Sequence, residues 1–270
     1  MTASARLTSL VVFALFWLGT AFPAHAAQNR CLAIADAGPP VHLAALKENE
    51  VSLTFIGHST FLIESPAGVR IATDFTGYAG PGGVPDVVTM NHAHESHYTD
   101  YPDPKIKHVL RGWNPKATGS PDDQPAQHNL SLKDVHVRNV PTDIRHWSGS
   151  KEAFGNSIFI FEVAGLCIAH LGHLHHQLTA QHLGWIGYVD VVLVPVDGTY
   201  TLNHASMIEV IKDLRAKLVI PMHYFSAPGL KSFVDALSGA FEVEIHKSSQ
   251  ITVSESTLPK STKVLVLPGN

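Results

Sequence analysis

The amino-acid sequence predicts a mixed α/β domain of the α+β type. Short apolar runs rich in β-branched residues recur along the chain and are typical of buried strands. Three stretches in the second half are predicted to be helices, and the longest of them repeats its apolar residues at helical spacing. The chain has 270 residues, 45% of them hydrophobic, which is enough to bury a sizeable core.

The N-terminal 26 residues predict a cleavable secretory signal. Arg6 supplies a positive charge, Leu10 to Leu18 an apolar core, and Ala24 to Ala26 a small-x-small cleavage site. The apolar core is too short to span a membrane comfortably, so cleavage after Ala26 is expected. We therefore expect a periplasmic or secreted protein that is not inserted in the membrane after cleavage.

The rest of the chain is predicted to be one domain with a short lead-in. Residues 27–48 are broken by Gly38–Pro39–Pro40 and form the lead-in segment, and residues 49–270 form the domain. The formal net charge is −4 and no basic run occurs, which argues against nucleic acid as a partner. The expected partner is a small-molecule substrate, and no feature of the sequence indicates an oligomeric state.

The first strands of the domain lead to a loop rich in histidine. A meander of three strands is predicted, at 51–56, 60–63 and 69–73, and Asp74 stands at its end. A fourth strand, Val87–Met90, is followed at once by His92, His94 and His97. Imidazoles so close on a tight loop can converge on one point, and neutral imidazole is the commonest zinc ligand. This loop therefore predicts a metal site.

The following segment, residues 98–130, is polar and rich in proline, with one clear apolar run at Ile106–Leu110. We expect a long surface excursion that forms one wall of an active-site mouth.

Regular structure resumes after this excursion, and its strands also end in histidines. Strands are predicted at 135–140, 157–163, 166–170, 190–195, 218–221, 241–245, 251–253 and 264–267, and helices at 179–186, 202–218 and 230–237. A hairpin turn is expected at Ala164–Gly165. The histidines that follow these strands are His146, His170, His173 and His223. Because strand ends far apart in sequence can meet at one edge of a sheet, a composite metal site is the better interpretation.

The two cysteines, Cys31 and Cys167, could pair in an oxidising compartment. We expect them to be unpaired, because nothing in the sequence places them within bonding distance. Cys167 then serves as a small buried core residue, and Cys31 as a thiol of the N-terminal tail.

Six short motifs together resemble the metallo-β-lactamase superfamily, and specifically its compact branch similar to L-ascorbate-6-phosphate lactonase. They are Gly57–His58–Ser59–Thr60, His92-x-His94-x-x-His97, Gly155–Asn156–Ser157, His170–Leu171–Gly172, Asp190–Pro195 and Pro221–Met222–His223–Tyr224. The resemblance implies a four-layer αββα sandwich with a metal site at the edge of the two sheets. It also implies the ligands: His92, His94 and His146 at a first metal site, and His97 and His223 at a second.

The sequence departs from this family at two carboxylates of the second site. Ser96 and His173 occupy the positions where the family has aspartates, and the neighbouring Glu95 is one residue out of place. Two Zn²⁺ ions ~4 Å apart repel by about 16 kcal/mol at an effective dielectric of 20, and a bridging carboxylate normally offsets this repulsion. We therefore expect Zn²⁺ to fill the first site tightly and the second site to be weak or empty, with Mn²⁺ as an alternative metal. His173 is either a further ligand of the second site or a neutral hydrogen-bonding residue.

The resemblance implies an exported metal-dependent hydrolase. A zinc-bound hydroxide would attack an ester, lactone, amide or phosphodiester. The alternative is a non-catalytic or weakly active metal-binding protein of the same fold. Four side chains are candidates for orienting the metal ligands, and three are candidates for lining the mouth. The first group is Asp74, Ser96, His170 and His176, and the second is Asp197, Tyr200 and His204.

Overall fold

The structure is a computed structural model that describes residues 31, 49–91, 94–118, 120, 122–145, 149–237 and 239–269. The predicted signal segment, and the lead-in segment apart from Cys31, lie outside the described residues. The described chain forms two β-sheets and three α-helices.

The first sheet has six strands and contains the predicted N-terminal meander. Its strands are β1 (Val51–Gly57), β2 (Thr60–Glu64), β3 (Arg70–Ala72), β4 (Val87–Met90), β5 (His108–Arg111) and β13 (Gln250–Val253), in the order β13-β1-β2-β3-β4-β5. Strands β3, β4 and β5 run parallel to one another. Their carboxyl ends therefore lie at one edge of the sheet, where the loops after β3 and β4 begin.

The second sheet has eight strands. They are β6 (Asn129–Leu132), β7 (Val135–Arg145), β8 (Lys151–Val163), β9 (Leu166–His170), β10 (Val191–Pro195), β11 (Leu218–Met222), β12 (Glu242–Ile245) and β14 (Lys263–Val266), in the order β12-β14-β11-β10-β9-β8-β7-β6. Strands β9, β10 and β11 are parallel. The loops after these three strands consequently leave the sheet from the same edge.

The three helices pack on one face of the eight-stranded sheet. They are α1 (Ala180–Ile186), α2 (His204–Leu214) and α3 (Ala227–Ala236). The helices begin at Thr179, Asn203 and Ser226, whose side chains accept backbone hydrogen bonds from their first turns. A core of buried residues from all three helices and from this sheet joins the two layers. None of the helices among the described residues has the length and apolarity needed to cross a membrane.

Helix α2 ends earlier than the sequence predicts. We expected a helix from 202 to 218, but Arg215 adopts a left-handed conformation with φ of 53° and ends it. The backbone N–H groups of Lys217 and Leu218 then donate to the carbonyl of Asp190. These two hydrogen bonds draw the chain into β11 beside β10.

A second core lies between the two sheets. It includes Leu53, Phe61 and Ile63 from the six-stranded sheet and Phe159 and Phe161 from β8, all buried. The outer face of the six-stranded sheet carries a smaller apolar cluster, in which Val88 and Met90 of β4 pack against loop residues such as Phe75 and Ile106. Alternate residues of β4 thus face the two sides of the sheet, which explains its continuous apolar sequence.

Two further sequence predictions need correction. The segment 98–130 is more regular than a surface excursion, because it contains β5 and the first two residues of β6, which pairs with β7. Strand β6 was not predicted, because its polar and apolar residues alternate and give no continuous apolar run. The expectation of two unpaired cysteines is wrong, since Cys31 and Cys167 form a disulfide across 136 residues. The carbonyl of Cys31 also accepts from the N–H of Tyr188, so Cys31 itself is held beside the end of α1.

Candidate metal centre

Polar side chains from both sheets meet where the parallel strands end. Asp74 follows β3, and His94, Ser96 and His97 lie in the loop after β4. From the other sheet, His173 follows β9, Asp197 follows β10 and His223 follows β11 directly. The carboxyl ends of parallel strands are the usual place for a ligand site in α/β proteins. Here the two sheets contribute to a single group of side chains.

Four imidazoles form the centre of this group, and we call them the histidine cluster: His94, His97, His173 and His223. One nitrogen atom from each ring lies within 4.8 Å of those from the other three. The Nε2 atoms of His94 and His173 are 3.0 Å apart, and those of His97 and His223 are 3.1 Å apart. His94 is partly exposed, whereas the other three side chains are buried. The cluster therefore opens to solvent on the side of His94.

The donor set fits a divalent transition metal such as zinc. Zinc binds imidazole nitrogen at about 2.0–2.1 Å, so the ligand atoms of a tetrahedral site are separated by ~3.4 Å. The closest nitrogen pairs of the histidine cluster approach this spacing. Within the described residues the cluster offers imidazole nitrogen alone, which suits zinc better than the oxygen-seeking ions Mg²⁺ and Ca²⁺.

A carboxylate stands behind each of two cluster histidines. His97 Nδ1 donates to Asp74 Oδ2 over 2.6 Å, and His223 Nδ1 lies 3.0 Å from Asp197 Oδ1. Both carboxylates have almost no exposed side-chain surface. At His97 this hydrogen bond places the proton on Nδ1, turns the Nε2 lone pair toward the cluster and makes it more basic. At His223 the carboxylate acts through its charge at 3.0 Å, since His223 Nδ1 makes no well-aligned hydrogen bond within the described residues.

Both carboxylates are ionised in this arrangement. Burial would raise the pKa of Asp74, but the charge and hydrogen bond of His97 and the amide of Asn91 outweigh it and lower the pKa below its usual value. Burial likewise opposes ionisation of Asp197. The contact with His223 and the hydrogen bonds from the turn at 199–201 nevertheless hold its pKa low.

The other two cluster histidines are backed by neutral groups. Ser96 Oγ lies 2.6 Å from His94 Nδ1 and 2.8 Å from His58 Nε2, so one hydroxyl bridges two imidazoles. The hydroxyl has a single proton to donate. When His94 Nε2 binds a metal, His94 Nδ1 carries the ring proton and donates to Ser96, and Ser96 donates to His58. Ser96 therefore fixes the orientation of His94 without adding a negative charge.

His173 is held in a similar way by its neighbour His175. The Nδ1 atom of His173 contacts Nε2 of His175, and the backbone N–H of His173 donates to Asn156 Oδ1 over 2.8 Å. Burial, followed by the neighbouring imidazoles, lowers the pKa of His173 strongly. His173 is therefore a neutral imidazole. His175 Nδ1 accepts from the N–H of Arg145, so His175 donates from Nε2 to His173 Nδ1, and the ring proton of His173 lies on Nε2. This tautomer favours His173 as a neutral hydrogen-bonding residue over a further metal ligand.

Burial also keeps the imidazoles around the cluster neutral. It is the largest cause of lowered pKa values for His58, to about 3, and for His94 and His175, to about 4. Neighbouring imidazoles lower the pKa of His58 and His94 further, and Arg145 does so for His175. At neutral pH all three rings have a lone pair available.

A glycine and two asparagines fix the loops that carry the ligands. Gly172 has a φ of +60°, and a Cβ there would lie 2.4 Å from Asn156 Oδ1 and 2.5 Å from Asn91 Nδ2. Only glycine therefore allows the chain after β9 to approach both amides. Asn91 in turn donates to Asp74 and accepts from the N–H of Ser157, which ties the two sheets together beneath the site.

The structure separates the predicted site residues into three groups. His94, His97, His173 and His223 come together, with Asp74, Ser96 and Asp197 in contact with them. His92 and His146, the other two predicted ligands, lie outside the described residues. The remaining candidates have other contacts. Glu95 is exposed, His170 bonds the carbonyl of Ser59, His176 bonds that of Gln177, and His204 bonds that of Val196, while Tyr200 is 63% exposed beside Phe225.

Sequence reasoning missed the contributions of His58, His175 and Asn91. His58 directly follows β1 and has a left-handed φ of 51°, so it obeys the same strand-end rule as the predicted ligands. His175 lies two residues after His173, and a count of histidines after β9 would have included it. Asn91 gave no signal, because a single asparagine after a strand usually caps a turn.

Three comparisons with known proteins agree with this geometry. The model of the beta-lactamase superfamily domain matches residues 52–223, more than half of the chain. A UPF0173 metal-dependent hydrolase of Salinibacter ruber is 25% identical over 214 residues, which cover 71% of this chain and 92% of that protein.

Solved structures give the same result. A protein of Thermotoga maritima, described as a Zn-dependent hydrolase of the metallo-beta-lactamase superfamily, is 29% identical with a TM-score of 0.57, over 80% of this chain and 98% of that one. Igni18, a metallo hydrolase of Ignicoccus hospitalis, shares the fold at 21% identity with a TM-score of 0.52, over 76% of this chain and 99% of that one. The two-sheet sandwich predicted from the sequence is confirmed, although among the described residues loop segments such as those of Phe75 and Ile106 stand where the expected fourth, helical layer would cover the six-stranded sheet. The chain belongs to the beta-lactamase superfamily with the metallo-β-lactamase fold.

Proposed function

We propose that this protein is an exported, zinc-dependent hydrolase that acts on an ester, lactone, amide or phosphodiester. The observation that carries the proposal is the histidine cluster, in which four imidazoles converge and two of them are backed by buried carboxylates. The similar proteins of Salinibacter ruber and Thermotoga maritima are named as metal-dependent and Zn-dependent hydrolases, which supports the reaction class.

The side chains divide the work of such a reaction between them. His94, His97 and His223 would hold the ion, which leaves a fourth position for water, and His173 lies beside it. When bound, zinc would lower the pKa of that water to about 7 and polarise the oxygen of the substrate. Asp74 and Asp197 orient His97 and His223, and Ser96 orients His94. The partly exposed His94 marks the side from which substrate and water enter.

The proposal includes one tightly bound ion and a weak or absent second one. Within the described residues, the carboxylates near the cluster contact the Nδ1 atoms of histidines and thus stand behind the ligands. In this position they add negative charge near the ion, but they do not bridge two ions. This places the tight ion on the cluster that contains His97 and His223, whereas the sequence analysis expected the first site to be the tight one. His92 and His146, the other predicted ligands of that first site, lie outside the described residues.

Export is supported by the disulfide and by the signal-like N-terminus. Disulfides persist in oxidising compartments such as the periplasm, and the bond between Cys31 and Cys167 is buried. Cell fractionation followed by N-terminal sequencing tests this part. A mature chain that starts at Ala27 in the periplasm or medium is expected, and an uncleaved cytosolic chain would contradict it.

A non-catalytic metal-binding role is the second candidate, favoured by the serine at position 96 and the histidine at position 173. A panel of ester, lactone and phosphodiester substrates distinguishes the two roles. We expect zinc-loaded wild type to turn over at least one of them and His94→Ala to lose that activity. His246→Ala, which alters a histidine in the turn after β12, is the matched control and should retain activity. Equal background rates in wild type and His94→Ala would support the binding role instead.

A further inference from the structure

A cavity of about 330 Å³ lies next to the histidine cluster and has no part in the metal chemistry described above. We call it the hairpin cavity, because residues 143–145 and 149–151 of the β7–β8 hairpin form one of its sides. The polar residues that line it include Asp143, Arg145, Lys151, His175, His176 and His182. His175 belongs to both regions, since it lines the cavity and contacts His173 of the histidine cluster.

The two strands of this hairpin have a fixed irregularity next to the cavity. The pairing of β7 with β8 shifts register between Thr142 and Ile144, and Phe154 opposite has a left-handed φ of 57°. Asp143 Oδ1 accepts from the backbone N–H of Phe154 over 3.0 Å, which fixes this irregularity. Bulges of this kind are common beside active sites, where they redirect side chains.

Arg145, the last residue of β7, links the β7–β8 hairpin to the loops of the metal centre. Its backbone N–H donates to His175 Nδ1 over 2.7 Å, and its guanidinium donates to the carbonyl of Thr199 over 3.3 Å. Thr199 lies in the turn that holds Asp197 behind His223. The guanidinium is thus placed at the cavity and next to the turn that supports a metal ligand.

The charges that line the cavity favour an anion. Lys151 Nζ lies 2.6 Å from Asp143 Oδ2, so these two charges neutralise each other. The charge of Arg145 then remains, which gives a lining with a net charge of about +1 at neutral pH. A guanidinium matches the two oxygens of a carboxylate or a phosphodiester through paired N–H donors.

We propose that the hairpin cavity binds a singly charged oxyanion, a carboxylate or phosphodiester group, in molecules processed at the metal centre. Arg145 is the anchoring residue, with Lys151 beside it. The binding site stands on the cavity and its charges alone. Its use by a substrate rests on the proposed hydrolase function, because it requires a reaction at the neighbouring cluster.

Small charged probes and their neutral analogues test the binding site. We would measure binding of benzoate against benzamide, and of dimethyl phosphate against trimethyl phosphate, by NMR titration of the full chain. Tighter binding of the charged member of either pair is expected, and the pair with the larger difference identifies the preferred oxyanion. Equal binding of charged and neutral members in both pairs would overturn the proposal.

Substitutions then locate the probe. Arg145→Gln is expected to weaken binding of the charged probe at least about tenfold, because it removes a charge-assisted hydrogen bond. Arg145→Lys should have a smaller effect, since lysine keeps the positive charge and loses only the paired N–H donors of the guanidinium. Lys231→Gln, on the exposed surface of α3, is the matched control and should bind like wild type. Unchanged affinity in Arg145→Gln, with a thermal midpoint equal to that of wild type, would contradict the assignment.

Removal of the metal separates this proposal from the hydrolase function. The titration is repeated after the protein has been treated with a chelator, and the charged probe is expected to keep its affinity. Loss of binding together with the metal would show that the anion sits on the ion, which overturns the proposal. Failure to find a hydrolysed substrate would contradict the proposed function but would leave this binding result intact.

Discussion

The two halves of the histidine cluster differ in what lies behind each imidazole. His97 and His223 have a buried carboxylate against Nδ1, whereas His94 and His173 have a hydroxyl and another imidazole. A carboxylate makes the opposite nitrogen a stronger ligand and allows one tautomer alone. A neutral partner fixes orientation with little gain in basicity. The first pair therefore provides most of the affinity for an ion, and His94 completes the set of three ligands on the open side.

This difference also explains how a site without bridging carboxylates can hold a metal. The negative charge is present, but it is separated from the ion by an imidazole ring on each side. Such charges stabilise one divalent ion, and they offset the repulsion between two ions poorly. Four predictions, given from the largest expected effect to the smallest, test the comparison.

Asp74→Asn should have the largest effect, a 10- to 100-fold loss of metal affinity. In the wild type both carboxylate oxygens of Asp74 accept hydrogen bonds, one from His97 and the other from Asn91. Asparagine replaces one of these oxygens with an NH₂ group, which cannot accept. Asparagine tolerates the left-handed backbone at this position, where φ is 41°, so the chain should still fold. Competition with a chromophoric chelator measures the affinity. Asp134→Asn, which changes a carboxylate bonded to Ser65 in a distant turn, is the control and should bind metal normally.

Asp197→Asn should reduce metal affinity by about tenfold, near the lower end of the same range. Its carboxylate faces His223 and also accepts from the backbone of the turn at 199–201. The amide oxygen of the asparagine can still accept some of the hydrogen bonds of this turn. The loss of metal affinity is therefore expected to be smaller than in Asp74→Asn. The same chelator competition measures it. A metal affinity equal to that of wild type would mean that Asp197 stabilises the turn and does not influence His223 as a ligand.

Ser96→Ala should weaken metal binding only about two- to tenfold, the amount expected from one neutral hydrogen bond. His94 would lose its orienting partner but keep its place in the loop. The companion variant Ser96→Asp places a carboxylate at the open side and is expected to add a second equivalent of bound metal. Metal analysis by mass spectrometry counts the ions. A loss in Ser96→Ala as large as that in Asp74→Asn would contradict the division into strong and weak halves.

The metal-free chain should lose stability as the pH falls from 7 to about 4. Burial lowers the pKa of His58 to about 3 and those of His94 and His175 to about 4 in the folded state, against 6.5 when unfolded. Below pH 6.5 the unfolded chain binds protons that the folded chain does not, so acid favours unfolding. The thermal midpoint measures this effect.

A matched variant assigns the pH effect to these imidazoles. His58→Gln combined with His175→Gln removes two of the imidazoles whose pKa values are lowered and should make the decline shallower. A midpoint that stays constant between pH 7 and 4.5 in the wild type would show that the imidazoles are not held neutral by burial.

Much of this arrangement was predictable because a strand end is a local feature. The apolar runs before Asp74, His94, His170 and His223 identify the strands, and parallel strands deliver their following residues to one edge. Helix and strand positions could therefore be predicted from spacing, as could the set of converging histidines. The resemblance to a known family added the expected assignment of the histidines to a first and a second metal site.

The features that were missed depend on contacts between distant parts of the chain. The Ser96 hydroxyl meets His58, which is 38 residues away, and Cys31 meets Cys167 across 136 residues. No local pattern fixes either distance. The hydroxyl at position 96 is read from the sequence as a missing carboxylate, and only the structure shows that it bridges two imidazoles.

The number of tightly bound ions tests the central claim most directly. Zinc-loaded protein would be dialysed against a chelator of moderate affinity, and the metal retained by each chain would then be counted by native mass spectrometry. One zinc per chain, lost in the His97→Ala variant, is the predicted result, because imidazoles with carboxylates behind them hold one ion. Two retained ions per chain, or none, would contradict it.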